Sequence, residues 1–353
     1  MTALSIFLAL HLAFFAVRLI YRKLCFKSLN VRLFFSQKIA TEGDRLTLFT
    51  ELTNAKWLPL PWIAVKFQIS RRLRFADMDS GQITDDYYRN DLYNVLMYQK
   101  ITRRLHFECT RRGYYRIKSL DITGWDLLMD QKQVRHYGCD IDLTVYPATI
   151  PVPEINELLT NINGHLQSKR FTNPDPFTFR GIREYTPGDP LKAVNFKASA
   201  KSQNLMVNLW DYSISRQVVL MLNLQKQSAL HSEDTDEQAI KVAASLAGQL
   251  AMAHIPVRFI TNNAALPEGA GARHHQQILE LLAHIDLNTP HSQAFADILS
   301  SQHQQEPEYW LISAYQGEDL TTAYQRLTSQ GIKTVWIIPC EEGTGHDRKA
   351  YLR

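Results

Sequence analysis

Residues 217–224 read QVVLMLNL, and the next apolar run of that kind, PVRFIT, spans residues 256–261. Between them lies DEQAIKVAASLAGQLAMAH (236–254), whose apolar and polar residues separate onto two faces of a helix. The strand runs are almost continuously apolar, and a strand with one wet face would alternate instead. Both faces of the sheet must therefore be covered, as in a parallel sheet sandwiched by helices. The pattern repeats downstream: ARHHQQILELLAHI (272–285), EYWLISA (308–314), LTTAYQRLTSQ (320–330) and KTVWIIP (333–339). Residues 216–340 are thus expected to form a doubly wound α/β domain, with residues 341–353 as a C-terminal tail.

Upstream the periodicity changes. RLTLFTEL (45–52), WIAVKFQIS (62–70), RLHFECT (104–110) and YYRIKSLDIT (114–123) alternate apolar and polar residues between turn-forming Gly, Asn, Asp and Pro. This predicts a small all-β sandwich over residues 30–150, with EGDRL (42–46) and LPLPW (58–62) as turn and edge signals, since proline cannot donate to a central ladder. The polar and aromatic segment 76–100 reads as a long loop, on which Tyr87, Tyr88, Tyr93 and Tyr98 cover the sandwich or form a recognition surface. VYPATIPVPEI (145–155) runs into a Pro-rich stretch, and residues 151–215 are read as a connector.

The first residues carry the third signal. From Ala3 to Ile20 only His11 and Arg18 are strongly polar, enough for roughly 27 Å of helix at about 1.5 Å per residue. Basic residues follow the run (Arg18, Arg22, Lys23, Lys27) and none precedes it, the reverse of a secretory signal peptide. Positive flanks are retained on the cytoplasmic side. Residues 1–29 are therefore expected to be a transmembrane anchor with its basic flank, in a single-pass protein whose bulk lies in the cytoplasm.

The 353 residues suit two domains, and 45% hydrophobic with 21% charged residues is ordinary globular composition. The net charge of +4 comes without a basic, aromatic-interleaved stripe beyond the membrane-proximal cluster, so no nucleic-acid partner is expected. Cys25, Cys109, Cys139 and Cys340 lack any CxxC or zinc spacing and read as reduced, packed thiols.

Ligands of open α/β sheets bind at the carboxyl ends of the strands. No Gly-rich phosphate loop follows VVLMLNL, and neither a GxSxG elbow nor an HExxH helix occurs. His274 and His275 are adjacent on a helix, about 100° apart, and cannot easily chelate one ion. Together with His254 and His284 they read as solvated or capped. No cofactor or catalytic residue is expected.

The remaining polar cluster is GIREYTPGDPLKAVNFKASAKSQNLMVN (181–208). Pro187 can preset a turn, Gly188 can accept positive φ, and Asp189 can cap a helical segment starting at Pro190. Arg183 and Glu184 would pair with that segment or with a neighbouring strand. A carboxylate flanked by Arg and Lys has a depressed pKa, which suits ion pairing better than proton transfer near neutral pH.

The segment resembles the signature of the bacterial domain of unknown function 58 family, a MoxR-associated group. Gly181, Arg183, Glu184, Tyr185, Gly188, Asp189, Lys197, Ser199 and Ala200 match it, with Lys192, Val194, Phe196 and Lys201 as close substitutes. TRRGYYRIKSLDI (110–122) and DLTVYPATIP (142–151) resemble further strands of that family. The resemblance implies a von Willebrand A-like C-terminal domain, in which hard divalent cations are held by an Asp-x-Ser-x-Ser loop after the first strand. The corresponding positions here are the neutral amides Asn223, Gln225 and Gln227, and after WLIS the acidic Glu318 and Asp319 come only at the next helix start. A degenerate, metal-free site is expected.

By the same resemblance, the chain is expected to be a membrane-anchored, non-enzymatic accessory or adaptor protein of the bacterial inner membrane. Its implied partners are a MoxR-type AAA+ ATPase and von Willebrand A proteins in a chaperone-like role, with the motif residues structural or partner-binding. An enzyme built on Arg183, Glu184 and Asp189, and an envelope structural or adhesive protein, are the alternatives.

Overall fold

The computed structural model describes residues 2–75, 86–125, 132–150, 179–210, 217–226, 233–289, 294–302, 307–339 and 351–352. The chain divides into two compact units, Met1–Ala148 with Leu279–Asp286, and Thr149–Ile278 with Leu287–Arg353.

The first unit opens with helix α1 (Thr2–Leu24), which over Ser5–Leu24 is long and apolar enough to cross a membrane. Two sheets follow. One has the order β1 (Leu29–Phe35), β3 (Arg45–Asn54), β7 (Lys100–Cys109), β5 (Leu73–Phe75). The other runs β2 (Ile39–Thr41), β9 (Lys132–Tyr146), β8 (Gly113–Trp125), β4 (Leu60–Ser70), β6 (Asp86–Val95). Every pairing is antiparallel except that of β2 with β9.

The alternation in β3 turns Leu46, Leu48 and Leu52 inward, where they share one core with Ile63, Val65, Phe67, Ile122, Leu143 and Val145 of the second sheet. Burying each such side chain contributes about 1.5–3 kcal/mol, so this two-sheet core does not depend on the rest of the chain for its apolar driving force. Leu58–Trp62 does not mark an edge: β4 lies between β8 and β6, and Pro61 falls in the register shift between Leu60 and Ile63, a place where a missing N–H is tolerated.

The segment expected to be a loop contains a ten-residue strand, β6. Its alternation is hidden because two inward positions are charged. Arg89 and Asp91 are both buried and joined at 2.9 Å, Arg103 reaches Asp91 at 3.2 Å, and the Arg89 and Arg103 guanidiniums lie over the rings of Phe75 and Tyr93. Buried charges persist only when paired in this way. The four tyrosines consequently form no single surface: Tyr93 is buried, Tyr87 is half-buried, and Tyr88 and Tyr98 are exposed.

In the second unit a hairpin of β10 (Phe179–Glu184) and β11 (Met206–Trp210) encloses a short 3-10 turn (Leu191–Ala193) and helix α2 (Phe196–Ser202). A six-stranded sheet then runs β14 (Ala265–Gly269), β13 (Val257–Thr261), β12 (Val218–Asn223), β15 (Glu308–Ser313), β16 (Thr334–Ile338), β17 (Tyr351–Leu352). Strands β12, β13, β15 and β16 are parallel, and β14 and β17 pair antiparallel at the edges. All six residues of β12 are buried. Val219 and Met221 pack with Tyr309, Leu311 and Trp336 against α5 (Phe295–Ser300) and α6 (Glu318–Ser329). Helix α3 (Glu233–Met252) lies against β12, β13 and β15.

Of the histidines of helix α4 (Gly271–His284), His274 and His275 are packed rather than solvated, whereas His284 is exposed at the helix end, its Nδ1 2.8 Å from the Glu280 carbonyl oxygen. His274 bonds the Val257 carbonyl through Nε2 at 2.8 Å and lies so close to Gly269 that a Cβ there would come within 2.5 Å of the ring. His275 is half-buried beside Gly248, and burial pushes its pKa down.

Candidate functional site

Two polar constellations in the second unit correspond to the residues singled out in the sequence. The first is the hairpin motif. Gly181 lies at a register shift in β10, and Arg183 and Glu184 end that strand. The turn that follows needs glycine at position 188, where φ is +126°. Its closure is done by Asp189, whose Oδ2 accepts from the Thr186 N–H and hydroxyl, both at 2.9 Å. Arg183 grips the same carboxylate with its two terminal guanidinium nitrogens, Nη1 at 2.7 Å and Nη2 at 2.6 Å, and Nη1 also donates to the Glu184 carbonyl at 2.9 Å.

Such a two-pronged pair is the strongest geometry available to a surface ion pair. Arg183 and, next, the Thr186 N–H hold the Asp189 carboxyl well below the usual carboxylate range, and the same contact raises the Arg183 pKa. A group so placed stays ionised near neutral pH and is poorly matched to proton transfer.

Asp189 is not the helix cap expected of it, because both its oxygens are engaged in the turn. Helix α2 begins further on and is capped by Asn195, whose side chain accepts from the Ala198 N–H at 3.0 Å and donates to Asn208 Oδ1 at 2.7 Å. Pro190 precedes the 3-10 turn without any side-chain bond. Ser199 ties the helix to β11: its hydroxyl donates to the Asn195 carbonyl and accepts from the Met206 N–H, both at 2.8 Å. The Tyr185 N–H donates to the Leu205 carbonyl at 2.8 Å, and Glu184 accepts from Asn204 at 3.2 Å. Lys192 and Lys197 are exposed, beside Leu191 and Phe196 at 74% and 76% exposure.

The second constellation lies where the sheet order reverses, between β12 and β15, the position at which open α/β sheets bind ligands. Asn223 and Ser313 end these strands and are register partners. Asn223 Nδ2 donates to Ser313 Oγ at 3.1 Å, and Asn223 Oδ1 accepts from Asn262 Nδ2 at 3.0 Å and from the Gln225 N–H at 2.9 Å. Asn262 Oδ1 accepts from the Leu224 N–H at 2.8 Å, and the Ser313 hydroxyl donates to the Tyr315 carbonyl at 2.9 Å. Asn223, Asn262 and Ser313 are all buried.

This is an uncharged network in which the side-chain oxygens of Asn223 and Asn262 already accept protein donors. The Gln225 side-chain oxygen is buried without a partner among the described residues, and Gln227 lies outside them. Asp319 accepts from the Tyr315 hydroxyl at 2.8 Å and raises its pKa. Among the described residues, no three His, Cys, Asp or Glu side chains are grouped so as to hold a metal ion.

Sequence reasoning missed Asn262, Ser313, Thr186 and Asn195. The first two carried a usable signal: each is the polar residue that ends, or closely follows, an apolar strand run, as Asn223 is.

The fold and these two clusters define a mixed α/β protein with several sheets and an apolar N-terminal helix. Residues 181–338 match the model of a family described as "Protein of unknown function DUF58", and the chain carries this family's domain. The match begins at the first motif glycine and ends with β16; the two-sheet unit precedes it.

No curated protein matches the chain. Among solved structures, the CARDB domain of the PF1109 protein of Pyrococcus furiosus is 13% identical, covering 33% of this chain and 91% of that one at a TM-score of 0.22. The sporulation control protein Spo0M of Bacillus subtilis is 9% identical, covering 45% and 58% at 0.20. A chain of a type I cohesin–dockerin complex of Clostridium thermocellum is 10% identical, covering 33% and 99% at 0.23.

Proposed function

We propose that the protein is a membrane-anchored, non-enzymatic adaptor. In this reading α1 spans a bacterial inner membrane once, the bulk of the chain lies in the cytoplasm, and a MoxR-type AAA+ ATPase is the partner that supplies energy. The observation that carries it is the surface of the motif hairpin. Leu191 and Phe196 stand 74% and 76% exposed beside Lys192 and Lys197, while the polar motif residues beneath are consumed in fixing the turn and the helix. Exposed large apolar side chains with a basic rim are what a protein partner covers.

The uncharged amide network at the sheet's switch point also favours an adaptor, since the side-chain oxygens of Asn223 and Asn262 are already committed. The strand order, equivalent to 3-2-1-4-5-6 counting from β12, is that of a doubly wound sheet and supports the von Willebrand A-like reading of the domain. The basic residues after α1 support the cytoplasmic orientation.

The test is co-purification of the full chain from crosslinked membranes. Wild type is expected to recover an AAA+ ATPase, and the Leu191→Ser, Phe196→Ser double variant to lose it at unchanged protein level. Recovery of the ATPase by both proteins would remove the hairpin as the docking surface, and recovery by neither would remove the adaptor reading.

A further inference from the structure

Helix α1 is not joined to the first unit by a loose linker. Tyr21 and Cys25 are buried at its carboxyl end, and the Tyr21 hydroxyl donates to the Pro59 carbonyl at 3.1 Å. The Lys56 ammonium, itself buried, donates to the carbonyl oxygens of Cys25 at 2.6 Å and Lys27 at 2.7 Å, placing a cation on the unsatisfied end of the helix. Cys25 Sγ sits against Gly124 so closely that a Cβ there would be 2.5 Å away.

The segment that holds α1, residues 55–62, comprising the loop after β3 and the first residues of β4, is in turn tied to the turn after β6. Asn54, fully buried, donates through Nδ2 to the Leu58 carbonyl at 2.9 Å and the Leu96 carbonyl at 2.8 Å, and the Tyr98 N–H donates to the Lys56 carbonyl at 3.1 Å. These two tied segments leave large apolar side chains outside: Trp57, Trp62, Leu96, Met97 and Tyr98 are all exposed.

We propose that the segments 55–62 and 96–99 rest in the headgroup region of the membrane that α1 enters, forming an aromatic collar around the root of the helix. This rests on the reading of α1 as a membrane anchor. From Thr2 to Ile20 the helix rises roughly 28 Å at about 1.5 Å per residue, close to the ~30 Å hydrocarbon core of a bilayer. Tyr21, the first buried residue among those described, then falls at the interface, and the loop it bonds falls at the same level. Tryptophan and tyrosine favour that level because one end of the ring system is apolar and the other makes hydrogen bonds. Arg22, Lys23 and Lys27, all exposed, supply the cations that lipid phosphates attract. The occupant of the patch is fixed by continuity: the bilayer reaches it as soon as α1 is inserted.

The experiment uses the full chain in phosphatidylcholine–phosphatidylglycerol nanodiscs, spin-labelled singly at Met97→Cys, at Leu12→Cys in α1, or at Arg45→Cys at the opposite end of β3. Spectra are corrected against the wild-type protein carried through the same labelling. Accessibility to oxygen and to a water-soluble nickel chelate is read at each position. The expected result is position 12 in the acyl chains, position 45 in water, and position 97 at headgroup depth with nickel accessibility severalfold below that of 45. If 12 lies in the acyl chains while 97 is as nickel-accessible as 45, the collar is wrong and the anchor stands. If 12 is itself as nickel-accessible as 45, the anchor fails and the collar with it. Shielding of 97 accompanied by spin–spin broadening between copies would assign the patch to a second chain and overturn the lipid assignment. Brominated lipids give an independent check: they should quench wild-type tryptophan fluorescence more than that of the Trp57→Phe, Trp62→Phe variant, and equal quenching would count against the collar.

Discussion

The Asn223–Asn262–Ser313 network and the Arg183–Asp189 pair hold their backbones by opposite means. The first is neutral, buried and shared among three strand ends; the second is charged, lies in a turn, and has a half-exposed arginine. A buried polar group that loses its partner keeps the full desolvation penalty, whereas an exposed ion that loses its partner is taken up by water. The difference teaches which cluster the fold depends on: the uncharged one, despite its lack of strong interactions. The charged cluster shapes a local turn.

The largest effect should therefore come from Asn223→Leu, which removes the acceptor of Asn262 Nδ2 and of the Gln225 N–H and the amide donor to Ser313 Oγ. We expect a loss of about 2–4 kcal/mol in urea unfolding; a loss below that of Ser313→Ala would break the comparison. Gly269→Ala comes next, because the new methyl group meets the His274 ring and the bond to the Val257 carbonyl must shift. Overpacking of this kind costs about 1–3 kcal/mol, read as a lowered Tm. Ser313→Ala should follow at about 1–2 kcal/mol, since Asn223 Nδ2 loses its acceptor.

Asp189→Asn should be the smallest in global stability, with its effect confined to exchange of the Thr186 amide and the neighbouring turn. Its pH dependence sharpens the contrast. The folded-state pKa of Asp189 lies below the unfolded value, near 3.9. Its contribution is thus complete above about pH 4 and is lost as pH falls through the lowered folded-state value. The wild-type advantage over Asp189→Asn should shrink as acid is added and should also weaken in high salt. The advantage over Asn223→Leu should keep its size through both changes, and a parallel decline would show that the network carries charge.

The parallel strands and the helices α3, α4 and α6 were legible because the sheet's buried core obeys simple rules, while the six-residue α5 is too short to show a period. A run such as VVLMLN has no face to wet, and the helices between such runs are long and amphipathic. Strand β6 was not, because Arg89 and Asp91 occupy inward positions that a hydrophobic pattern reserves for apolar residues. The hairpin strand β14, ALPEG, has no apolar run at all and pairs by following β13 back on itself.

At the motif the sequence revealed the turn and the need for glycine at 188. It did not reveal that Asp189 would be drawn backward to Arg183 and Thr186 rather than forward to a helix. Two partners of similar sequence distance competed for one carboxylate, and only β10 placed a guanidinium within reach.

By itself the sequence determined the kind of each major segment: an apolar helix able to cross a membrane, alternating strands, then continuous strands with amphipathic helices. Periodicity and polarity are local properties, and a chain carries them before it folds. The tertiary structure decided which polar groups meet. Asn223 bonds Ser313 from 90 residues away, and Lys56 reaches back to Cys25 across 31. Such pairings depend on strand register and on what remains unsatisfied when the core closes, and neither is set by the residues next to them in the chain.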